Sequence, residues 1–168
     1  MNGQFSRLAL AILFSLTLSF GASAETVAQA VRNWGLIGSW SRDCSHKPGR
    51  DQNTLLIYEI MADERVVHRR DFGDSTDENE VVGAEVSADS MLNLRVFFPK
   101  FKQTRDYGLM KQPDGSVRTM YNHDQKDAYS IRDGIFTANG NPTPALQKCR
   151  AGARSALEKT SANAAGLR

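Results

Sequence analysis

Two arginines and a histidine alternate in phase with apolar residues where a half-buried strand would carry only apolar ones. In residues 65–72, His68 and Arg70 fall in step with Val66 and Phe72; in residues 101–112, Gln103 and Arg105 fall in step with Phe101, Tyr107 and Leu109. Strand side chains repeat every two residues, so these polar groups share a face with the apolar ones. Polar groups on such a face need partners. A guanidinium offers a planar fork of N–H donors that suits a carboxylate or phosphate. Arg70, Arg105 and His68, with the phenols of Tyr58, Tyr107 and Tyr121, are therefore the candidate contacts for a ligand with a polar or anionic head group. Three readings of the arginines stay open. They line a lumen, they face water where strands twist or bulge, or one stacks on Trp40 and closes an end of the fold.

Catalytic chemistry leaves no comparable trace, and no catalytic residue is assigned. There is no Gly-x-Ser-x-Gly elbow to present a nucleophile. His46, His68 and His123 lack the i, i+4 spacing of paired metal ligands, so no metal site is expected. The acidic run "DSTDENE", residues 74–80, lacks the spacing of a calcium loop and reads as a solvated hairpin tip. No Gly-rich phosphate loop occurs, and no cofactor is expected. A non-enzymatic protein is the expectation.

The elements that must position these residues are strands. From residue 38 to 138 the apolar period is two, over segments 38–43, 54–62, 65–72, 80–88, 91–98, 101–112, 116–122, 128–132 and 135–138. The joints are short, as in Pro113-Asp114-Gly115 and Arg132-Asp133-Gly134, which is hairpin chemistry. No joint is long enough for a crossover helix, so neighbours pair antiparallel. This predicts an all-β, up-and-down meander barrel of eight or nine strands, since closure removes exposed edges. The core candidates are Val82, Ala84 and Val86; Leu92, Leu94, Val96 and Phe98; and Val117, Thr119, Tyr121, Tyr129 and Ile131. Before the strands, residues 25–35 place Val27, Ala30, Val31 and Trp34 on one helical face, with Gly35 as a stop.

The ends bound the domain. Residues 1–24 carry Arg7, an apolar run from Leu8 to Phe20 and the triplet Ala22-Ser23-Ala24, the pattern of an export signal too short to span a bilayer. The expected organisation is a signal over 1–24, one β domain over 25–150 and a weakly helical or flexible tail over 151–168. Without Arg7 the chain has 20 basic and 19 acidic side chains. That balance gives no reason to expect nucleic acid as a partner, and no membrane insertion of the mature chain is expected. Cys44 and Cys149 are the only cysteines. In the oxidising compartment that export implies, periplasmic or extracellular, an even pair reads as a disulfide.

Leu36-Ile37-Gly38-Ser39-Trp40, after a short helix and at the head of the strands, resembles the first-strand motif of lipocalins and lipocalin-like barrels. The resemblance implies that Trp40 plugs the closed end of a barrel and that Gly38 lets the helix approach closely. It also implies a late-strand arginine against that Trp, with Arg132 the candidate. Ser41 departs from the bulky residue usual there. Gly-x-Trp with a nearby Cys and the late Lys148-Cys149-Arg150 also resembles small exported proteins of Gram-negative bacteria, which brings no activity with it. The expected function is non-catalytic binding of a small ligand. The alternative, by similarity to periplasmic inhibitors, is an interaction module using rim loops 74–79 or 122–126.

Overall fold

The computed structural model describes residues 25–50 and 53–150. The expected signal and the C-terminal tail lie outside these residues. The first element is helix α1, Val27–Trp34. Thr26 caps it reciprocally: its hydroxyl accepts from the Gln29 N–H at 3.2 Å and its own N–H donates to the Gln29 side chain at 2.9 Å. Gly35 ends the helix at φ 84°, a conformation that costs glycine nothing. Ala28, Ala30, Val31 and Trp34 are buried. The Trp34 indole donates to the Ser90 carbonyl at 3.0 Å, and the Lys111 ammonium lies 4.6 Å from its ring.

Ten strands follow: β1 Gly38–Ser41, β2 Leu55–Ile60, β3 Val66–Asp71, β4 Thr76–Val86, β5 Leu92–Phe98, β6 Gln103–Lys111, β7 Val117–Asp124, β8 Tyr129–Arg132, β9 Ile135–Phe136 and β10 Gln147–Cys149. They form one antiparallel sheet in the order β10-β1-β2-β3-β4-β5-β6-β7-β8-β9. The meander is as expected from the short joints. The sheet is not closed, however, because β10 and β9 stand at its two edges. The sequence pattern missed β10, three residues with no large apolar side chain to betray them. Leu146, just before β10, exchanges two backbone hydrogen bonds with Val117 at the start of β7, at 2.9 and 2.8 Å. The Cys44–Cys149 disulfide, spanning 105 residues of sequence, fastens β10 beside β1. It fits an oxidising compartment. Among the described residues no helix is long and apolar enough to cross a membrane.

One contiguous core runs from α1 through β7, holding Val31, Trp34, Leu36, Trp40, Tyr58, Val66, Val81, Leu92, Leu94, Val96, Phe98, Leu109 and Val117. Three extra residues break the alternation. Val82 is inserted between the pairs Val81–Val96 and Gly83–Arg95, and it points outward, 47 % exposed. Val86, at the strand end, is exposed too, leaving Ala84 alone of the three packed on the core. Met120 is inserted opposite the Gly108–Leu109 step, and Ser130 opposite the Asn122–His123 step. A bulge moves every later side chain to the other face. Tyr121 and Tyr129 therefore lie outside, while Asn122 and Ile131 are buried. Phe101, expected inside, belongs to a short 3-10 turn, Pro99–Phe101, and is 56 % exposed.

The first-strand motif also lands differently in detail. Trp40 is buried and donates its indole N–H to the Leu36 carbonyl at 2.7 Å. The cation over its ring is Lys148 of β10 at 5.4 Å, whose ammonium also donates to the Gly35 carbonyl at 3.0 Å. Arg132 instead covers Tyr129 at 4.2 Å. Gly38 has φ 129°, and an added Cβ there would come within 2.9 Å of the Lys148 side chain. Its close approach is to β10, not to the helix.

Candidate ligand-binding site

Of the six residues singled out from the sequence, five meet on the inner face of the sheet. Tyr58, His68 and Asn79 are register partners across β2, β3 and β4, and Arg70 stands opposite Asp77. The His68 ring stacks on Tyr58 at 4.6 Å with 5° between planes, and Tyr107 meets it edge-on at 6.4 Å. Arg70 lies 4.9 Å from the Phe98 ring and 5.3 Å from the Phe72 ring, and its guanidinium donates through two nitrogens to the Asp77 carboxylate. Burial opposes the charge on Asp77, but the hydrogen bonds and charge of Arg70 together with the Asn79 amide outweigh it and hold the carboxyl below its usual range. Asn79 donates to Asp77 at 2.9 Å and to the His68 carbonyl at 3.2 Å. Arg105 donates to Asn122 at 2.5 Å and to the Ser130 hydroxyl at 3.1 Å.

Both arginines on the inner face thus have protein partners. Asp77 and Asn79, which supply two of the contacts, come from the run read as a solvated tip. Residues 76–80 are instead strand, laddered to β3. Burial, assisted by the Arg70 charge, drives the His68 pKa down to about 3, so the ring is neutral near pH 7. Neither of its nitrogens has a hydrogen-bond partner, although the residue is only 3 % exposed. Burial likewise pushes the Tyr58 and Tyr107 phenols upward.

Tyr121 is the sixth candidate, and the Met120 bulge takes it to the outer face. There its hydroxyl donates to Asn93 at 2.8 Å and its ring lies over Gly108. With His123, Tyr129, Arg132 and the methionines Met91, Met110 and Met120 it lines a shallow outer groove.

The larger opening lies elsewhere, at the seam where the two edges of the sheet approach. A cleft of about 810 Å³ is bounded by Leu56 of β2, Arg118 and Thr119 of β7, Ile131 of β8 and Phe136 of β9. Segment 139–146 and the basic side chains Arg42 and Arg50 complete it. Leu56, Ile131, Phe136, Pro142, Pro144 and Leu146 make one wall apolar. Segment 139–146 is held in place by short contacts: Thr143 N–H to the Gly134 carbonyl at 2.8 Å, its hydroxyl to the Thr119 carbonyl at 2.8 Å, and the Leu146–Val117 pair. The Arg118 Nε is buried and has no hydrogen-bond partner. Among the described residues, neither Arg118 nor Arg42 has a carboxylate within ion-pair distance.

Sequence reasoning missed this site because its residues alternate as an ordinary outer or loop pattern. Arg118 follows a core valine, and Arg42 follows a strand that ends early. The only available signal was the polar and proline-rich stretch "NGNPTPA" from Asn139 to Ala145, too long for a hairpin turn. No group of three or more His, Cys, Asp or Glu side chains placed to hold a metal occurs among the described residues. Comparison of the chain with protein families, with characterised proteins and with solved structures finds no match.

Proposed function

We propose that this is an exported, non-catalytic binding protein, a lipocalin-like roll that holds a small or medium ligand in the seam cleft. The Leu146–Val117 hydrogen bonds support the barrel reading, because they link the β10 edge back to β7. The ligand carries an anionic head for Arg42 and Arg118 and an apolar body for the Leu56, Ile131 and Phe136 wall. One observation carries the proposal: Arg118 lines a cleft large enough for a drug-sized molecule and has no carboxylate within ion-pair distance among the described residues. A planar guanidinium in that state suits a carboxylate or phosphate oxygen. Arg70 and Arg105 keep their internal partners and serve as structure. Residues 76–79 and 122–124 belong to strands, which shortens both rim loops on which the inhibitor reading rests.

Native mass spectrometry of protein isolated from its own compartment tests this. The expected result is a retained small molecule on the wild-type chain that is lost from Arg118→Met, a change that keeps the stem and removes the donors. Bare wild-type protein, or equal retention by Arg118→Met with an intact thermal transition, would overturn it.

A further inference from the structure

Beside the seam cleft lies a second lobe of about 880 Å³ lined by Arg42, Asp43, His46, Lys47, Gly49, Arg50 and Asn53. Arg42, Arg50 and Asn53 line both lobes. The two lobes differ in lining: aliphatic and aromatic side chains contribute to the first, whereas the side chains of the second are all polar or charged.

The polar groups of the second lobe fall into two kinds. Asn53 is scaffold. Its amide donates to the Asp43 carbonyl at 2.8 Å and the His46 carbonyl at 3.1 Å, and its oxygen accepts from Asp43 N–H at 2.9 Å and Ser41 Oγ at 2.7 Å. The Asp43 carboxylate is equally committed, to the Ser45 hydroxyl and N–H and to His46 at 2.7 Å. Those bonds, from Ser45 first, lower its pKa to about 2. Arg50 is partly committed, donating to Ser75 at 2.8 Å and Asp74 at 3.4 Å while it lies over Phe72 at 4.6 Å. Arg42 and Lys47 have no carboxylate partner among the described residues.

The whole chain carries a formal net charge of only +2. Yet the described residues of the two lobes include Arg42, Lys47, Arg50 and Arg118 beside two carboxylates that are already engaged, Asp43 with Ser45 and His46 and Asp74 with Arg50. A cleft lined by one sign of charge concentrates ligands of the other sign. A single carboxylate on the ligand is matched by Arg118 with Arg42 alone, leaving the Lys47 lobe unused.

We infer that the ligand's head group is a phosphate-type dianion, placed where the lobes join so that Arg42 and Arg118 meet it from the cleft and Lys47 with Arg50 from the second lobe. This rests on the proposed ligand cleft and specifies its ligand class. A planar fork and a flexible ammonium together suit phosphate oxygens better than a lone carboxylate.

Four probes at pH 8 and low salt test it by calorimetric titration: dodecyl phosphate, dodecanoate, dodecyl maltoside and pyrophosphate. The expected result is that dodecyl phosphate binds at least about tenfold tighter than dodecanoate and that dodecyl maltoside binds weakest. Lys47→Ala should abolish the tenfold difference by weakening dodecyl phosphate far more than dodecanoate, and salt should weaken the phosphate most. Equal affinity for phosphate and carboxylate overturns the inference and leaves the cleft standing. Failure of all four probes on folded wild-type protein overturns both. Pyrophosphate binding as tightly as dodecyl phosphate supports dianion recognition but assigns it to a free anion, against the apolar body proposed above.

Discussion

At the residue scale, His68 is a side chain that the interior holds at a cost. An imidazole with two buried, unpartnered nitrogens forgoes about 1–3 kcal/mol of hydrogen bonding. What keeps it there is flat stacking on Tyr58 and the edge of Tyr107. Its depressed pKa makes it an acid-sensitive element. Below pH 6.5 the unfolded chain takes up a proton on this side chain, whereas the folded chain does not until about pH 3. The stability it contributes is complete above pH 6.5 and is lost as pH falls through the window down to about 3. The slope is up to about 1.4 kcal/mol per pH unit. His68→Phe keeps the stacking area and removes the titration, so its melting temperature should fall less than that of the wild type between pH 7.5 and 4.5. Parallel acid curves for the two proteins would show that another group governs the slope.

At the element scale, the bulges decide which face each side chain takes. Gly108, beside the Met120 bulge, shows how tightly that arrangement is set. An added Cβ would sit 2.2 Å from Cε1 of Tyr121 and 2.8 Å from the Met91 sulfur. Gly108→Ala should displace the Tyr121 ring, break its bond to Asn93 and cost about 1–3 kcal/mol. Urea denaturation reads the loss, and recovery in Gly108→Ala/Tyr121→Ala would attribute it to the ring. An unchanged midpoint in the single variant would contradict it. The same bulge explains where sequence reading succeeds and stops. On β5, where no residue is inserted, Leu92, Leu94, Val96 and Phe98 are all buried as the period of two requires. On β4 and β7 the period is correct on each side of the insertion, but its phase changes at Val82 and Met120. Neither residue type marks a bulge, so Val82 and Tyr121 were assigned to the wrong face. His68 and Arg70 were legible because β3 carries no insertion. Their partners Asp77 and Asn79 were not, because a run of acidic and amide side chains gives no alternation to read. The seam cleft was illegible for a third reason: it is made by strands far apart in sequence.

At the scale of the whole molecule, the β10 edge is held by two devices of different kinds: the Leu146–Val117 hydrogen bonds tie it across to β7, and the Cys44–Cys149 bond fastens it beside β1. The disulfide closes a loop spanning 105 residues. In the chain-entropy account a loop of that size stabilises by roughly 4.7 kcal/mol. Cys44→Ser/Cys149→Ser should therefore lower the denaturation free energy by about 2–5 kcal/mol. Because segment 139–146 forms one side of the cleft just before β10, the same variant should bind the dodecyl probes more weakly even where it remains folded. Equal affinity in the folded variant would mean that the Leu146–Val117 pair and the Thr143 contacts hold the cleft without covalent help.

The strand order also carries information about time. Every ladder except one joins strands adjacent in the chain, so each hairpin can form as soon as its own few residues are present. The exception, β10 on β1, must wait for segments about a hundred residues apart to meet, and it bears the disulfide. The β10–β1 ladder is thus expected to form last among the described strands. In a refolding experiment read by pulsed hydrogen exchange, the amides of β10 should acquire protection after those of β2 to β7. Ligand binding should then appear only with that final phase.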